Sequence, residues 1–306
     1  MSYVSSSASK LEAIVKRTSS TVDVDDFVAR LLAITREAER VVLGYYNNLQ
    51  HEDVTHKADD SPVTAADHAS HDLLFAALQA LTPDIPMLSE ESSAADIAAR
   101  LSWPVVWMVD PLDGTKEFIA STGEFTINIA LVSEGRPLLG LLARPTTGEV
   151  FVGIPGIGAW CYRQEADAQE VRTVLRTRPI DSEVPVTILA SSRHSPTRVE
   201  AVMQALSDLA SGVERSDAGS ALKFSALAAG NADVYPRTSP CYEWDVAAGD
   251  ALVEAAGGCV LGLDGEPLRY NQRDTLLAPR FIAQADPSVN YLDKLRAQLH
   301  ASACQH

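Results

Sequence analysis

The chain has 306 residues, 46% of them hydrophobic, and a formal net charge of -16 at pH 7. That apolar content can bury a sizeable core in one large domain or in two coupled ones. The negative charge argues against a broad surface for nucleic-acid polymers, because such binding depends on basic side chains, and no apolar stretch approaches the length of a membrane span.

The N-terminal part is predicted to be helical after a flexible start. Residues 1–23 are rich in Ser and Thr and are predicted to form a flexible extension. A helix is predicted over residues 24–46, where apolar residues recur at helical spacing. After a polar loop, a second helix is predicted over residues 65–81 and is ended by Pro83.

Strands are predicted for the middle of the chain. A short strand around Met87 and Leu88 and a buried strand over residues 103–109 are separated by a polar segment. An antiparallel meander is then predicted over residues 125–132, 138–143, 149–153 and 159–163. A polar stretch follows, and we place the boundary between subdomains 24–180 and 181–306 there.

The second subdomain is predicted to alternate strands and helices, as α/β layers do. The predicted strands cover residues 187–190, 232–235 and 260–263. The predicted helices cover residues 196–210, 221–229 and 244–256, and the last of them ends at a Gly-Gly pair.

The segment DPLDGT at residues 110–115 directly follows the predicted strand over 103–109. Its proline and glycine are expected to end the strand and turn the chain, so that Asp110, the carbonyl of Leu112 and Asp113 converge. Three oxygen donors within four residues suit a hard cation such as Mg²⁺. An isolated Asp-Gly pair is more often only a turn.

Further acidic residues elsewhere in the chain favour the metal site over the simple turn. Glu90 and Glu91 follow the short strand, Asp67 lies in the second predicted helix, and Asp245 lies in the last one. Crowded carboxylates would repel one another unless a cation compensated their charge.

These motifs together resemble those of the inositol monophosphatase superfamily of Mg²⁺-dependent, lithium-sensitive phosphatases. The resemblance extends from about residue 24 to the C-terminal region. Within the superfamily, the chain is most similar to the bacterial 3′(2′),5′-bisphosphate nucleotidases. The segments that carry this closer resemblance are residues 57–67, 88–91, 113–118 and 219–224. The resemblance implies a layered αβαβα sandwich, with an N-terminal α+β part, a C-terminal α/β part and the metal site between them.

The resemblance also implies which residues bind metal. The implied ligands are Glu90, Asp110, the carbonyl oxygen of Leu112, Asp113 and Asp245. The first three would hold the activating Mg²⁺, and the three aspartates would hold a second ion. Glu91 would either support these ligands or help to hold a third, weaker ion.

The implied reaction is hydrolysis of a phosphate monoester by water that the metal activates. Asp67 and Thr115 match the pair that positions and deprotonates this water. The implied substrate is adenosine 3′,5′-bisphosphate, or its sulfated analogue 3′-phosphoadenylyl sulfate, which loses its 3′-phosphate without forming a covalent phosphoenzyme.

The substrate contacts implied by the resemblance include two cations. The full set is Lys57, Gly114, Thr115, His194, Ser220, Lys223, Arg237 and Asp245. Lys223 and Arg237 could pair with the phosphate that is not cleaved. Considered as residues alone, Lys223 could equally be a solvated helix residue and Arg237 a surface ion-pair partner.

Two alternative functions stay open at this point. The same metal site could act on inositol monophosphate or a sugar bisphosphate, although segments 113–118 and 219–224 favour the nucleotide. The chain could instead be a non-catalytic metal or nucleotide sensor, although such a protein would be expected to have lost a ligand or the water-positioning pair.

The expected location is the cytoplasm. The four cysteines are far apart and form no CxxC pattern, so neither a zinc ribbon nor a disulfide framework is expected. The resemblance leaves open a peripheral position at the inner face of the membrane, which is suspected for some relatives, although the sequence shows no anchor. The sequence does not indicate an oligomeric state.

Overall fold

The computed structural model describes residues 2–18, 23–48, 54–56, 62–164, 170–191, 196–207 and 210–295. The α-helices in these residues are α1 (Ser2–Thr18), α2 (Val24–Tyr46), α3 (Ala65–Leu81), α4 (Ala94–Ala99), α5 (Thr115–Ile119), α6 (Pro196–Leu206), α7 (Leu222–Ala228) and α8 (Ala247–Ala256). Among the described residues, none of the helices is both long and apolar enough to cross a membrane.

A seven-stranded sheet forms the larger part of the molecule. A short hairpin of β1 (Val54–His56) and β2 (Pro62–Thr64) precedes it. The sheet contains β3 (Met87–Ser89), β4 (Val105–Asp113), β5 (Thr126–Ser133), β6 (Arg136–Arg144), β7 (Glu149–Ile154), β8 (Gly158–Gln164) and β9 (Glu170–Leu175), in that spatial order. Strands β3 and β4 are parallel, and each later pair is antiparallel. Strands β5 to β8 confirm the predicted meander.

A second, five-stranded sheet contains β10 (Val186–Ala190), β11 (Val213–Asp217), β12 (Val234–Arg237), β13 (Cys259–Gly262) and β14 (Phe281–Gln284). Its spatial order is β11-β10-β12-β14-β13. Strand β10 is parallel to both of its neighbours, and β14 is antiparallel to both of its own. The chain passes from one sheet to the other between β9 and β10, while the subdomain boundary near residue 180 stays a prediction.

The molecule has five layers, which are held together by three hydrophobic clusters. Helices α1, α2 and α3 pack against one face of the seven-stranded sheet. Helices α7 and α8 lie between the other face and the five-stranded sheet. Helix α6 and residues 291–295 cover the outer face of the second sheet. This order of layers confirms the predicted αβαβα sandwich.

Two glycines allow α8 to lie directly on the large sheet. A Cβ atom on Gly140 would lie 2.1 Å from the carbonyl oxygen of Ala248, and one on Gly153 would lie 2.4 Å from the Cα of Leu252. Real side chains do not approach backbone atoms so closely, so only glycine fits at these two positions. The close approach fixes α8, and therefore also the segment that precedes it.

The N-terminus differs from the expected flexible extension. Ser2–Thr18 forms helix α1, and Leu11 and Val15 are buried against the seven-stranded sheet and its helices. The apolar residues 11, 14 and 15 have helical spacing, a pattern that the high Ser content concealed.

The short hairpin strands β1 and β2 were not predicted and lie in the predicted polar loop. Three strands of the two sheets were also not predicted, and each of these has a physical reason. Strand β9 is an edge strand whose residues are mostly exposed, and its apolar residues do not alternate regularly with polar ones. Strand β11 is also a polar edge strand. Strand β14 has only four residues and follows a long irregular segment, so its pattern is too short to be distinctive.

Candidate metal centre and active site

Strand β4 carries the first two aspartates of the site. The expectation that the chain leaves the sheet at Pro111 is wrong, because β4 continues to Asp113. Asp110 pairs with Asn128 of β5 and Asp113 pairs with Thr126, so β4 contains one extra residue between these pairs. Such a β-bulge accommodates a proline inside a strand, because the bulged residues do not need to donate to the ladder.

The third aspartate comes from the other half of the chain. Asp245 ends a 3₁₀ turn over Glu243–Asp245, and α8 begins only at Ala247, later than the helix predicted over 244–256. The carboxylate of Asp245 accepts a hydrogen bond of 2.9 Å from the backbone N–H of Tyr242. The side chain is therefore fixed by its own turn.

These three aspartates converge. One carboxylate oxygen from each of Asp110, Asp113 and Asp245 lies within 4.8 Å of the others. Burial raises the pKa of Asp110, and the neighbouring charges of Glu90 and Asp113 raise it further. Burial, reinforced by Asp113, raises the pKa of Asp245 to about 8. These carboxylates are crowded and costly to ionise without a compensating charge. They fit a hard divalent cation, because its charge would favour their ionised form.

Parallel pairing of β3 with β4 brings the glutamate pair to the same place. Ser89 is in register with Val109, and the backbone N–H of Glu90 donates to the carbonyl of Val109 at 3.3 Å. The next residue in each chain segment is acidic, so Glu90, directly after β3, lies beside Asp110, which is still within β4. The backbone N–H of Glu91 bonds to the hydroxyl of Ser89 at 3.0 Å, which holds the turn closed.

Asp67 and Thr115, the predicted water-positioning pair, also lie together. Asp67 is in the first turn of α3, and its Oδ2 accepts hydrogen bonds from the backbone N–H and the hydroxyl of Thr64, at 2.8 and 2.6 Å. Its Oδ1 lies 3.3 Å from the hydroxyl of Thr115. That hydroxyl is also 3.4 Å from the carbonyl oxygen of Leu112. Thr64 was not predicted, although the Thr-x-x-Asp pattern of a capping box indicates this contact.

A cavity of about 160 Å³ opens beside the aspartates. The predicted substrate residues that line it are Gly114, Ser220, Lys223, Arg237 and Asp245. Gly114 has a φ of +96°, and a Cβ there would lie 3.3 Å from that of Ser220, so glycine allows two segments of the wall to meet. Thr115, another predicted contact, is not among the residues that line this cavity. Lys57 and His194, the remaining two, lie outside the described residues.

Lys223 is buried, so the interpretation of this lysine as a solvated helix residue is excluded. Its ammonium group donates to the carbonyls of Ala218 and Ser220, at 2.9 and 2.7 Å, and lies 5.3 Å from the ring centre of Tyr235. Burial lowers the pKa of Lys223 to about 8, against the opposing effect of Asp113. Two of its three donors therefore brace the loop before α7.

Arg237 is likewise part of the pocket wall rather than a surface ion-pair partner. Its Nε donates to the carbonyl of Ser239 at 3.1 Å, and its terminal nitrogens donate to the hydroxyl of Tyr235 and the carbonyl of Pro240. These contacts fix the loop after β12 beside the cavity.

Two polar residues of β5 were missed by the sequence analysis. The side-chain amide of Asn128 donates to Asp113 at 3.2 Å. The hydroxyl of Thr126 lies 3.4 Å from the same carboxylate and 3.3 Å from the hydroxyl of Ser220. Their alternation in an otherwise apolar strand, opposite two aspartates, is the signal that could have identified them.

A five-layered sandwich with a partly buried carboxylate cluster between its sheets, beside a cavity with cationic walls, defines a metal-dependent phosphatase. A family model described as "Inositol monophosphatase family" matches residues 23–303, and the chain belongs to this family. The family consists of Mg²⁺-dependent phosphatases.

Individual relatives are similar over most of the chain. The 3′(2′),5′-bisphosphate nucleotidase CysQ of Escherichia coli (strain K12) is 39% identical over 248 residues, which are 81% of this chain and 95% of the relative. The crystal structure of CysQ from Bacteroides thetaiotaomicron matches with a TM-score of 0.69 and 35% identity, over 84% of this chain and 97% of that one. An inositol monophosphatase structure from Anabaena (Nostoc) sp. PCC 7120 matches with a TM-score of 0.63 and 26% identity, over 91% and 96%.

Proposed function

We propose that this protein removes the 3′-phosphate from adenosine 3′,5′-bisphosphate, giving AMP and inorganic phosphate. The observation that carries the proposal is the carboxylate cluster of Asp110, Asp113 and Asp245 beside a cavity walled by Lys223 and Arg237. The similarity to relatives named 3′(2′),5′-bisphosphate nucleotidase CysQ supports the choice of a nucleotide.

The metal site of this proposal uses only oxygen ligands. Glu90, Asp110 and the carbonyl of Leu112 would hold one Mg²⁺, and the three aspartates would hold a second. Bound Mg²⁺ would lower the pKa of the attacking water and neutralise charge on the leaving oxygen. Glu91 keeps its two proposed roles, as support for these ligands or as a ligand of a third, weaker ion. Inhibition by lithium is part of the same proposal.

Asp67 and Thr115 would position the attacking water and take its proton. The Thr64 contacts hold Oδ2 of Asp67, so Oδ1 is directed to the hydroxyl of Thr115. The water oxygen forms a bond to the 3′-phosphorus, and its proton passes to Thr115 Oγ1 as the threonine proton passes to Asp67 Oδ1. The bond from phosphorus to O3′ breaks, and O3′ takes up a proton from solvent.

The two cations would hold the phosphate that is not cleaved. Within the described residues, Arg237 donates to three oxygen acceptors and also bonds to the Cys241 thiol, and Lys223 uses two of its three N–H groups. The remaining donors can bind phosphate oxygens, with the fork geometry of the guanidinium suited to two of them. A cavity with both residues in its wall therefore favours a substrate with two phosphate groups over inositol monophosphate.

The direct test is phosphate release from three substrates in parallel, with Mg²⁺ and with added Li⁺. The substrates are adenosine 3′,5′-bisphosphate, 3′-phosphoadenylyl sulfate and inositol 1-phosphate. We expect preference for the nucleotides, inhibition by Li⁺ and loss of activity in Asp245→Asn. Asp217→Asn, on the exposed edge strand β11, is the matched control and should be fully active.

Each other outcome has a definite meaning. Preference for inositol 1-phosphate would agree with the proposed metal site but would exclude the nucleotide as the substrate. The ratio of the hydrolysis rates of the two nucleotides would identify the better substrate. A role in sulfur assimilation is proposed only if both nucleotides are hydrolysed. Lack of Mg²⁺-dependent release from all three substrates would favour the sensor.

A further inference from the structure

His71 contacts the segment that carries Glu90 and Glu91, and it has no part in the mechanism described above. We propose that His71 is a positioning residue for the magnesium site, acting through the hydroxyl of Ser89. This inference rests on the proposed function in one respect, which is that Glu90 is taken as a metal ligand.

One face of α3 contacts three segments of the candidate site. Asp67, Ser70 and His71 are spaced i, i+3 and i+4, so their side chains lie on one face of the helix. Asp67 bonds to the hydroxyl at the start of α5, as described above. The buried hydroxyl of Ser70 donates to the carbonyl of Pro111 at 2.9 Å. Nδ1 of His71 lies 2.8 Å from the hydroxyl oxygen of Ser89. A single rigid helix therefore sets the relative positions of three segments that carry proposed site residues.

The hydroxyl of Ser89 needs an acceptor, and His71 provides one. Ser89 is fully buried, and its Oγ already accepts the backbone N–H of Glu91. Its single proton must then be donated elsewhere, because a buried hydroxyl without an acceptor is costly. Among the described residues, Nδ1 of His71 is the partner at hydrogen-bond distance. This arrangement places the imidazole proton on Nε2.

The turn after β3 depends on these bonds. The backbone N–H of Ser89 donates to the hydroxyl of Ser92 at 2.8 Å, and the N–H of Ser92 returns to the carbonyl of Ser89 at 3.0 Å. The Ser89 side chain closes the turn from inside by holding Glu91. If residue 71 offered no acceptor, the Ser89 hydroxyl would rotate toward another partner and release the backbone N–H of Glu91. The carboxylate of Glu90 would then lose its fixed position beside Asp110.

The imidazole itself is held in one orientation. Its ring stacks on that of Phe75, with centroids 6.1 Å apart and planes at 18°. Burial lowers the pKa of His71, which favours the neutral ring that can accept the Ser89 proton. Both features keep Nδ1 available to Ser89.

The test compares a substitution that removes the acceptor with one that retains an acceptor. His71→Phe keeps a ring against Phe75 but has no acceptor, whereas His71→Asn offers a carbonyl oxygen near the position of Nδ1. In calorimetric titration of the substrate-free protein with Mg²⁺, His71→Phe is expected to bind about tenfold more weakly. His71→Asn should recover most of this loss. The KM for adenosine 3′,5′-bisphosphate at saturating Mg²⁺ should be unchanged in both.

Two further variants complete the experiment. His68→Phe is the same substitution at an exposed position of α3 and should leave Mg²⁺ binding unchanged. Ser89→Ala removes the hydroxyl itself and should weaken Mg²⁺ binding at least as much as His71→Phe. It gives an independent test if His71→Phe does not fold, which thermal unfolding without Mg²⁺ would reveal.

The outcomes separate this inference from the proposed function. Wild-type Mg²⁺ binding by His71→Phe would overturn the role of His71, and so would equal losses in the Phe and Asn variants, because those indicate packing alone. Lack of phosphate release from every substrate, with the expected pattern of Mg²⁺ binding, would overturn the proposed function and leave the role of His71 intact.

Discussion

The two sides of the candidate site are held in place by different kinds of bond. On the side of the large sheet, Asp110 and Asp113 lie in a strand paired on both edges, and α3 bonds to the segments around them. On the side of the small sheet, Lys223 and Arg237 hold loops through single bonds to carbonyl oxygens. Backbone ladders thus fix Asp110 and Asp113, and side-chain bonds fix the pocket loops, while Asp245 is held by its own turn. The difference implies that metal binding and substrate choice can be altered separately.

The strongest test of this separation is on the metal side. Asp110→Asn should lower kcat by about 10²- to 10³-fold, the usual effect of removing one group that stabilises charge in the transition state. The same variant should raise the Tm of the metal-free protein, because it removes a buried charge that repels its neighbours. Activity assays and thermal unfolding with and without Mg²⁺ check both effects. A metal-free Tm below that of wild type would show that Asp110 stabilises the fold.

The second test concerns α8, which lies between the two sides. Gly140→Ala should reduce the free energy of unfolding by roughly 3 kcal/mol, because the new methyl group would meet the backbone of Ala248. It should also weaken Mg²⁺ activation, because displacing α8 moves Asp245. Urea unfolding and a Mg²⁺ titration measure these effects.

A matched glycine serves as the control for this test. Gly44 in α2 has no atom within 4 Å of an added Cβ, so Gly44→Ala should stabilise the protein by about 0.5 to 1 kcal/mol. Normal Mg²⁺ activation in Gly140→Ala would mean that Asp245 is positioned independently of α8.

The third test uses pH and Asp250, a buried carboxylate of α8. Burial raises the pKa of Asp250 to about 6, although Arg136 opposes the shift. The folded protein therefore binds a proton between about pH 4 and pH 6 that the unfolded chain releases, so stability falls as pH rises through this window. Asp250→Asn removes this effect, and its stability relative to wild type should rise by about 2 kcal/mol from pH 4 to pH 7. Urea unfolding at several pH values measures the difference, and a constant difference would contradict the shift.

The smallest expected effect is on the pocket side. Arg237→Lys keeps the charge but loses the fork geometry that bonds to Ser239 and Pro240. We expect the KM for adenosine 3′,5′-bisphosphate to rise about tenfold, the equivalent of one lost hydrogen bond to a charged group. The Mg²⁺ concentration for half-maximal activity should not change. A parallel change in both quantities would show that the two sides are coupled.

The sequence predicted the parts of the molecule that depend on local pattern. The meander follows from runs of apolar residues separated by glycine turns, and the metal motif at residues 110–115 follows from acidic groups after a buried strand. The bonds of Lys223 and Arg237 could not be predicted, because carbonyl acceptors exist everywhere in a chain and only the loop geometry selects them. Helix α1 was missed because its buried face is narrow, and β9 because an exposed edge strand needs no apolar alternation.

The bulge in β4 also determines which insertions and deletions the chain can tolerate. In a regular strand, residues three apart point to opposite faces, so Asp110 and Asp113 would be separated by the sheet. Their partners Asn128 and Thr126 are two apart and share a face, and the extra residue restores Asp110 and Asp113 to that face. Deleting Leu112 would restore a regular ladder and replace two aspartates at i, i+3 with two at i, i+2. The number of residues between the two aspartates is therefore tied to the bulge. A gene that lost one codon here would still encode a sheet, but with altered spacing between two of the proposed metal ligands.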